Sequence, residues 1–192
     1  MIFGNEMLLE LLKRDKITIK PFNENQLMGV SYDLRLDKYF ILPTLGFNYS
    51  VNPQDPSIDG FDCTRFILDS YCLKPLQRVL ASTIETAGSN SLDITTKIFS
   101  KSSWARWGLE VCSCAGYGDP MYANHWTLEI FNKNPFPIIL RQGMVIAQIG
   151  FEEVEGCSKE YKSQYNNEGN IKKFTDAERF EMMIPKKIKI IE

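Results

Sequence analysis

Glu129 is the residue most out of place in this sequence. Around it, Trp126, Leu128 and Ile130 alternate with Thr127, Glu129 and Phe131, the period of a half-buried strand. Glutamate is depleted in strands. Two readings follow: a solvated strand face, or a carboxylate held in a pocket, where partial desolvation raises its pKa and makes it a usable general base. A second constellation is Lys101-Ser102-Ser103-Trp104-Ala105-Arg106. Two hydroxyls bracketed by cations make either a polar turn or a phosphate site, with hydroxyls and backbone N–H groups donating and arginine gripping two oxygens at once. The third is Ala115-Gly116-Tyr117-Gly118-Asp119-Pro120-Met121-Tyr122. Glycines and Asp-Pro read as a hairpin turn. The alternative is a base pocket in which backbone groups read the base edge and an aromatic packs on the sugar.

Other chemistries are excluded by what accompanies these residues. His125 is the single histidine. Zinc nucleobase deaminases need a P-C-x-x-C pair with a nearby glutamate, and H-E-x-x-H proteases need two histidines. No G-x-S-x-G frames a serine, and neither a Walker loop nor G-x-G-x-x-G is present. No cluster suggests a protein-bound metal.

The elements that must position these groups come next. A chain of 192 residues fits a single domain, 1–192, with a polar C-terminal segment from about residue 155 that reads as a lid or interaction tail. With 22 basic and 24 acidic residues, the net charge of -2 predicts no general attraction to nucleic acid or to a membrane surface. No apolar run reaches the ~18–20 residues of a membrane span. Five cysteines without C-x-x-C fit a cytoplasmic protein, and they read as small buried hydrophobes, with Cys112 and Cys114 on one strand face.

Asn5 is the predicted N-cap of a short helix carrying Met7, Leu8, Leu11 and Leu12 on one stripe. Ile17 and Ile19 then alternate with polar neighbours up to Pro21. Strands are predicted at 31–36, 39–42, 78–83, 94–99, 109–115, 126–131, 137–140 and 145–153, separated by Asn-Pro, Asp-Pro, Asp-Gly and Gln-Gly breakers. Such spacing argues for an all-β sandwich, jelly roll or barrel. Residues 43–62 read as a long surface loop. Thr175 and Glu178 fit a capping box opening a late helix.

In order and spacing, the pieces resemble the dCTP deaminase branch of the dUTPase superfamily. The residues that carry this are Ile19-Lys20-Pro21-Phe22 with Ser31-Tyr32-Asp33-Leu34-Arg35-Leu36, then Val79-Leu80-Ala81-Ser82-Thr83-Ile84-Glu85. Ser102-Ser103-x-Ala105-Arg106-x-Gly108-Leu109, Ala115, Asp119-Pro120, Leu128-Glu129-Ile130-Phe131-Asn132 and Arg141-x-Gly143-Met144-x-Ile146-Ala147-Gln148-Ile149 complete the series. The likeness spans roughly residues 17–169.

The resemblance implies a mainly β fold, a dUTPase-like distorted β-barrel or jelly roll with a short N-terminal helix. It implies a homotrimer with active sites at subunit interfaces and zinc-independent hydrolytic deamination of a deoxycytidine nucleotide, dCTP, dCMP or a modified form, to the deoxyuridine nucleotide and ammonia. Glu129 matches the general base. Ser102 and the carbonyl of Ala115 match the groups that position water, and Arg106 the cation near the reacting base. Lys101 and Ser103 match phosphate contacts, Asp119 the hairpin-fixing carboxylate, and Tyr122 the aromatic under the deoxyribose. Mg²⁺ is expected only on the substrate phosphates. A dUTP pyrophosphatase or bifunctional deaminase–pyrophosphatase is the alternative enzyme, and a non-catalytic trimeric nucleotide-binding regulator the alternative non-enzyme.

The departures from the family pattern fall mainly at cations and glycines. Ser100-Lys101 replaces Gly-Arg, and Tyr117 stands where arginine is common. The D-P-G-x-x-G hairpin becomes Asp119-Pro120-Met121-Tyr122-Ala123-Asn124. The C-terminal Y-x-x-K-Y-x-x-Q becomes Tyr161-Lys162-Ser163-Gln164-Tyr165-Asn166-Asn167-Glu168, with Gln164 for the lysine, Glu168 for the glutamine, and Lys162 as the nearby substitute cation. A lost charge-assisted hydrogen bond costs about 1.5–3 kcal/mol, so altered phosphate or base recognition is expected.

Overall fold

A computed structural model of the chain describes residues 1–44, 63–159 and 174–186. The predicted loop lies largely outside them, as do the tail residues Tyr161, Lys162, Gln164 and Glu168 and the last residues from 187. In chain order the elements are α1 (Asn5–Lys13), β1 (Ile17–Lys20), β2 (Tyr32–Pro43), β3 (Cys63–Ile67), β4 (Ser70–Leu73), β5 (Arg78–Ser89) and β6 (Ile94–Ser100). They continue with α2 (Ser102–Arg106), β7 (Leu109–Glu110), β8 (Tyr117–Gly118), β9 (Ala123–Asn132), β10 (Ile138–Arg141), β11 (Val145–Glu153) and α3 (Asp176–Met183).

The fold is mainly β, a curled sheet with strand order β7-β9-β5-β2-β11-β6-β8; β1 adds to β5 and β3 to β2, and β4 and β10 pair separately. Its inner face is the core, built from alternating residues such as Leu34, Leu36 and Phe40 on β2, Val79 and Ala81 on β5, and Leu128 and Ile130 on β9. A smaller apolar cluster forms on the outer face, where Tyr39, Ile41 and Leu80 meet Phe180 and Met183 of α3.

Several expectations shift. Gly4, not Asn5, is the N-cap of α1, and Asn5 is its first residue. The segments 31–36 and 39–42 are one strand, because an irregularity between Leu36 and Phe40 in its pairing with β5 is absorbed without breaking the backbone run. The strand predicted over 109–115 ends at Glu110. Ser113 and Cys114 have positive φ (37° and 67°), which takes the chain off the ladder, so Cys112 and Cys114 share no strand face. None of the five cysteines is buried: Cys72 and Cys114 are exposed, and Cys63, Cys112 and Cys157 are intermediate free thiols. The capping box at Thr175 forms as predicted, with the Glu178 N–H donating to Thr175 Oγ1 (3.3 Å) and the Thr175 N–H donating to the Glu178 carboxylate (2.8 Å).

Candidate active site

The two outermost strands of the curled sheet, β7 and β8, are joined by residues 111–116, and that segment stitches the sheet's ends together. Cys112 forms an isolated bridge to Glu129 on β9. Its thiol lies 3.7 Å from the Ile98 carbonyl on β6, and the Ile98 N–H donates to the Gly116 carbonyl at 2.7 Å. A Cβ on Gly116 would fall 2.5 Å from the Ile98 oxygen, and one on Gly118 2.2 Å from Thr96 Oγ1. Both positions therefore require glycine at this closure. The closure brings the segment carrying Ala115 between Glu129 on β9 and Ile98 on β6, with Tyr117 following on β8.

Glu129 projects outward from β9, opposite in sense to the buried Leu128 and Ile130. Directly across the ladder stands Leu80, and on the other side Cys112. Its Oε2 is buried and has no hydrogen-bond partner among the described residues. Burial pushes its carboxyl up from the ordinary 4.5 to about 7, against a smaller pull downward from its own backbone and from Arg78. The solvated-face reading fails here: the strand is one-sided, yet this position on its outer side is walled.

The hairpin is a true turn, closed by the Tyr122 N–H to the Asp119 carbonyl at 3.0 Å. Met121, standing where the family pattern has glycine, holds φ at 69°, a conformation that costs a non-glycine residue about 1 kcal/mol. Tyr122 packs edge-on against Trp126 with ring centroids 5.1 Å apart. Tyr117 is 70% exposed, with Lys97 Nζ 4.9 Å from its ring centre and anchored to Glu152 at 2.9 Å. A cation thus stands beside the tyrosine that replaces the common arginine.

Residues 102–106 form a short helix, α2, rather than a polar turn. Trp104 fixes it by donating from Nε1 to the Val145 carbonyl at 2.8 Å, leaving Ser102, Ser103 and Arg106 exposed. Among the described residues, the side chains of Ser102, Ser103, Arg106 and Asp119, and Oε2 of Glu129, show no bond to another residue. Lys101 is different: its Nζ pairs with Asp33 Oδ1 at 2.7 Å. Asp33 in turn neighbours Arg35, whose Nε binds the wholly buried Glu85 at 2.6 Å. These contacts tie the segment before α2 to the Ser31–Leu36 motif.

Sequence reasoning missed Leu80 and Cys112 as walls of the Glu129 site, Asp33 as the partner of Lys101, and Lys97 beneath Tyr117. Leu80 and Lys97 both fall in segments expected to be strands. Only the register, which the sequence does not carry, sets them opposite Glu129 and Tyr117.

Comparison with known proteins decides the family. A profile of dCTP deaminase-like proteins matches residues 2–154. The chain belongs to the dCTP deaminase-like family of the dUTPase superfamily. It is 33% identical over 153 residues to the dCTP deaminase, dUMP-forming, of Streptomyces coelicolor, covering 78% of each. The protein of the same description from Nanoarchaeum equitans is 31% identical over 179 residues, covering 85% of this chain and 90% of the relative. Among solved structures, a 2′-deoxycytidine 5′-triphosphate deaminase from Agrobacterium tumefaciens superposes with a TM-score of 0.59 at 19% identity, over 78% of this chain. This chain spans about half the length of that structure, 47%, and the likeness concerns the fold. The family match ends at 154, so α3 lies beyond it. No helix among the described residues is long and apolar enough to cross a membrane.

Proposed function

We infer that this chain hydrolytically deaminates a deoxycytidine nucleotide, with Glu129 as general base. The observation that carries the reading is the Glu129 carboxyl, walled between Leu80 and Cys112, with Oε2 unbonded and its pKa lifted to about 7. At that value the group holds a proton or releases it near neutrality, as proton shuttling between water and a leaving amine requires. In this reading Ser102 Oγ and the Ala115 carbonyl orient a water. Glu129 takes its proton as the oxygen bonds to C4 of the base. Arg106 steadies the developing negative charge. Glu129 then gives the proton to the amino nitrogen, the C4–N bond breaks and ammonia leaves, and the proton of the remaining C4 hydroxyl passes to N3, giving the C4 carbonyl. The reading is zinc-independent because the protein's carboxylate activates the water directly.

The unbonded side chains of Ser102 and Arg106 on α2, and the unbonded Oε2 of Glu129, fit a site completed between copies in a homotrimer. Ser103 is read as a phosphate contact, Asp119 and Tyr122 as the nucleoside clamp, and Mg²⁺ as an ion carried on the phosphates. The relatives' description as dUMP-forming favours the bifunctional form, since passing from dCTP to dUMP also breaks the bond between the α- and β-phosphates. With Lys101 committed to Asp33, phosphate binding relies on fewer free cations than the family pattern supplies.

Ammonia release from dCTP, dCMP and dUTP in parallel, with chromatography of the products, tests this. Ammonia from a cytosine nucleotide is expected, with dUMP as the product from dCTP, and the rate should rise on its acid limb through about pH 7. Glu129→Gln should lower the rate by about 10³-fold. Ammonia at undiminished rate from Glu129→Gln, or none from any cytosine nucleotide, overturns the assignment; phosphate release from dUTP alone would make the chain a pyrophosphatase.

A further inference from the structure

We propose that α3 is a positioning element for Glu129: docked on the outer face of β2 and β5, it roofs the Leu80 side of the Glu129 carboxyl and keeps water from it. This rests on the reading of Glu129 as the base. Leu80 and Glu129 are direct cross-strand partners, so their side chains stand side by side on the same face, about 5 Å apart at Cβ. Leu80 is buried on this outer face because Phe180 and Met183 of α3, with Tyr39 and Ile41, close over it. Take α3 away and the wall beside the carboxyl opens to solvent.

The helix is fastened by more than apolar contact. Arg179, 5% exposed, enters between the strands, pairing with Asp37 and donating to Ser82 Oγ (3.2 Å) and the Thr83 carbonyl (3.1 Å). Its guanidinium also lies 5.0 Å from the Tyr39 ring centre. Asp176 accepts from the Tyr39 hydroxyl at 2.6 Å, and Tyr39 meets Phe180 edge-on at 5.5 Å. Phe174, just before the helix, sits edge-on to His125 at 5.8 Å. The entry to the helix thus reaches the His125 end of the outer face of β9, while the helix itself packs on β2 and β5.

Its influence on Glu129 comes through exclusion of water rather than charge. Each charged group of α3 is occupied: Asp176 by Tyr39, Glu178 in the capping box, Arg179 by Asp37, and Glu181 by Arg65 at 3.0 Å. The other titratable groups facing Glu129 are Arg78 on β5 and the Cys112 thiol, itself raised chiefly by burial and then by Glu129. Neither belongs to α3. α3 lies past the residues that the family profile matches.

The test is a carboxyl titration followed by ¹³C NMR on the full chain, with the Glu129 signal assigned by its loss in Glu129→Gln. It needs no substrate, so it is decided whether or not ammonia is released. Phe180→Ser should move the Glu129 midpoint down by about one unit toward the ordinary carboxylate range. Phe180→Leu should restore it, and the milder Met183→Ala should give a smaller drop. Where the chain is active, the acid limb of kcat/KM should follow the same order. An unchanged Glu129 midpoint in folded Phe180→Ser, or in folded Met183→Ala if the first variant does not fold, overturns the proposal.

Discussion

The outer face of β9 carries two desolvated titratable groups, and its two ends solve the same problem differently. At one end His125 is half-buried, its Nδ1 3.1 Å from the Thr83 carbonyl and its ring beside Phe174. Burial first, and then the Arg179 charge, hold it down at about 4. At the other end Glu129 is pushed up to about 7, with Oε2 unbonded. In both cases burial favours the neutral form. For a base, that moves the titration away from neutrality and leaves an inert ring in a closed polar cluster. For an acid, it moves the titration onto neutrality. One force therefore makes a structural residue at one end of the strand and a group poised for proton transfer at the other.

The contrast breaks most sharply if the closed end proves expendable. Arg179→Ala would strand Asp37 without its partner, and about 3–5 kcal/mol should be lost in urea melts. Arg179→Met with Asp37→Leu removes both charges and should recover much of that. A loss under 1 kcal/mol for the single variant would show that the pair is not the fastening it looks to be.

The open end should behave in the opposite way. Ionised Glu129 burdens the folded state above about pH 7, and the burden fades as pH falls toward 4.5. Glu129→Gln should therefore stabilise the fold by on the order of 2 kcal/mol at pH 8, after discounting for partial exposure, and by nothing measurable near pH 4.5. His125 carries the reverse sign: its held-down pKa removes stability as pH falls from 6.5 toward 4. Melts across that range should show acid destabilisation that persists in Glu129→Gln. The smallest effect belongs to the entry of α3, where Thr175→Ala should cost about 1 kcal/mol through loss of the capping box.

Much of this was legible in the amino-acid order. Alternation around Glu129 placed it on the outer side of a strand, and the segment 145–153 was read to its final boundaries because its apolar period runs unbroken. Thr175 and Glu178 announced α3, since a capping box is local chemistry. What stayed hidden depends on pairing between distant segments. Nothing near Arg179 signals that its guanidinium meets Asp37, and Lys101 looked like a free phosphate contact until Asp33 came within reach. Cys112 and Cys114 were misread because two left-handed residues, Ser113 and Cys114, turn an apparently strand-like run into a stitch. β3 and β4 were passed over because their exposed residues give no clear period.

That stitch has a kinetic meaning. Glu129 gains its second wall only when 111–116 joins β9 to β6, and β6 reaches the rest of the sheet through β11, which pairs with β2 from the far end of the sequence. Such non-local pairings are slow to form, since their loop entropy is spent before any contact repays it. The walls around Glu129 thus depend on contacts between segments far apart in the sequence. A chain with β9 formed but 111–116 unattached holds Glu129 on a strand without its second wall.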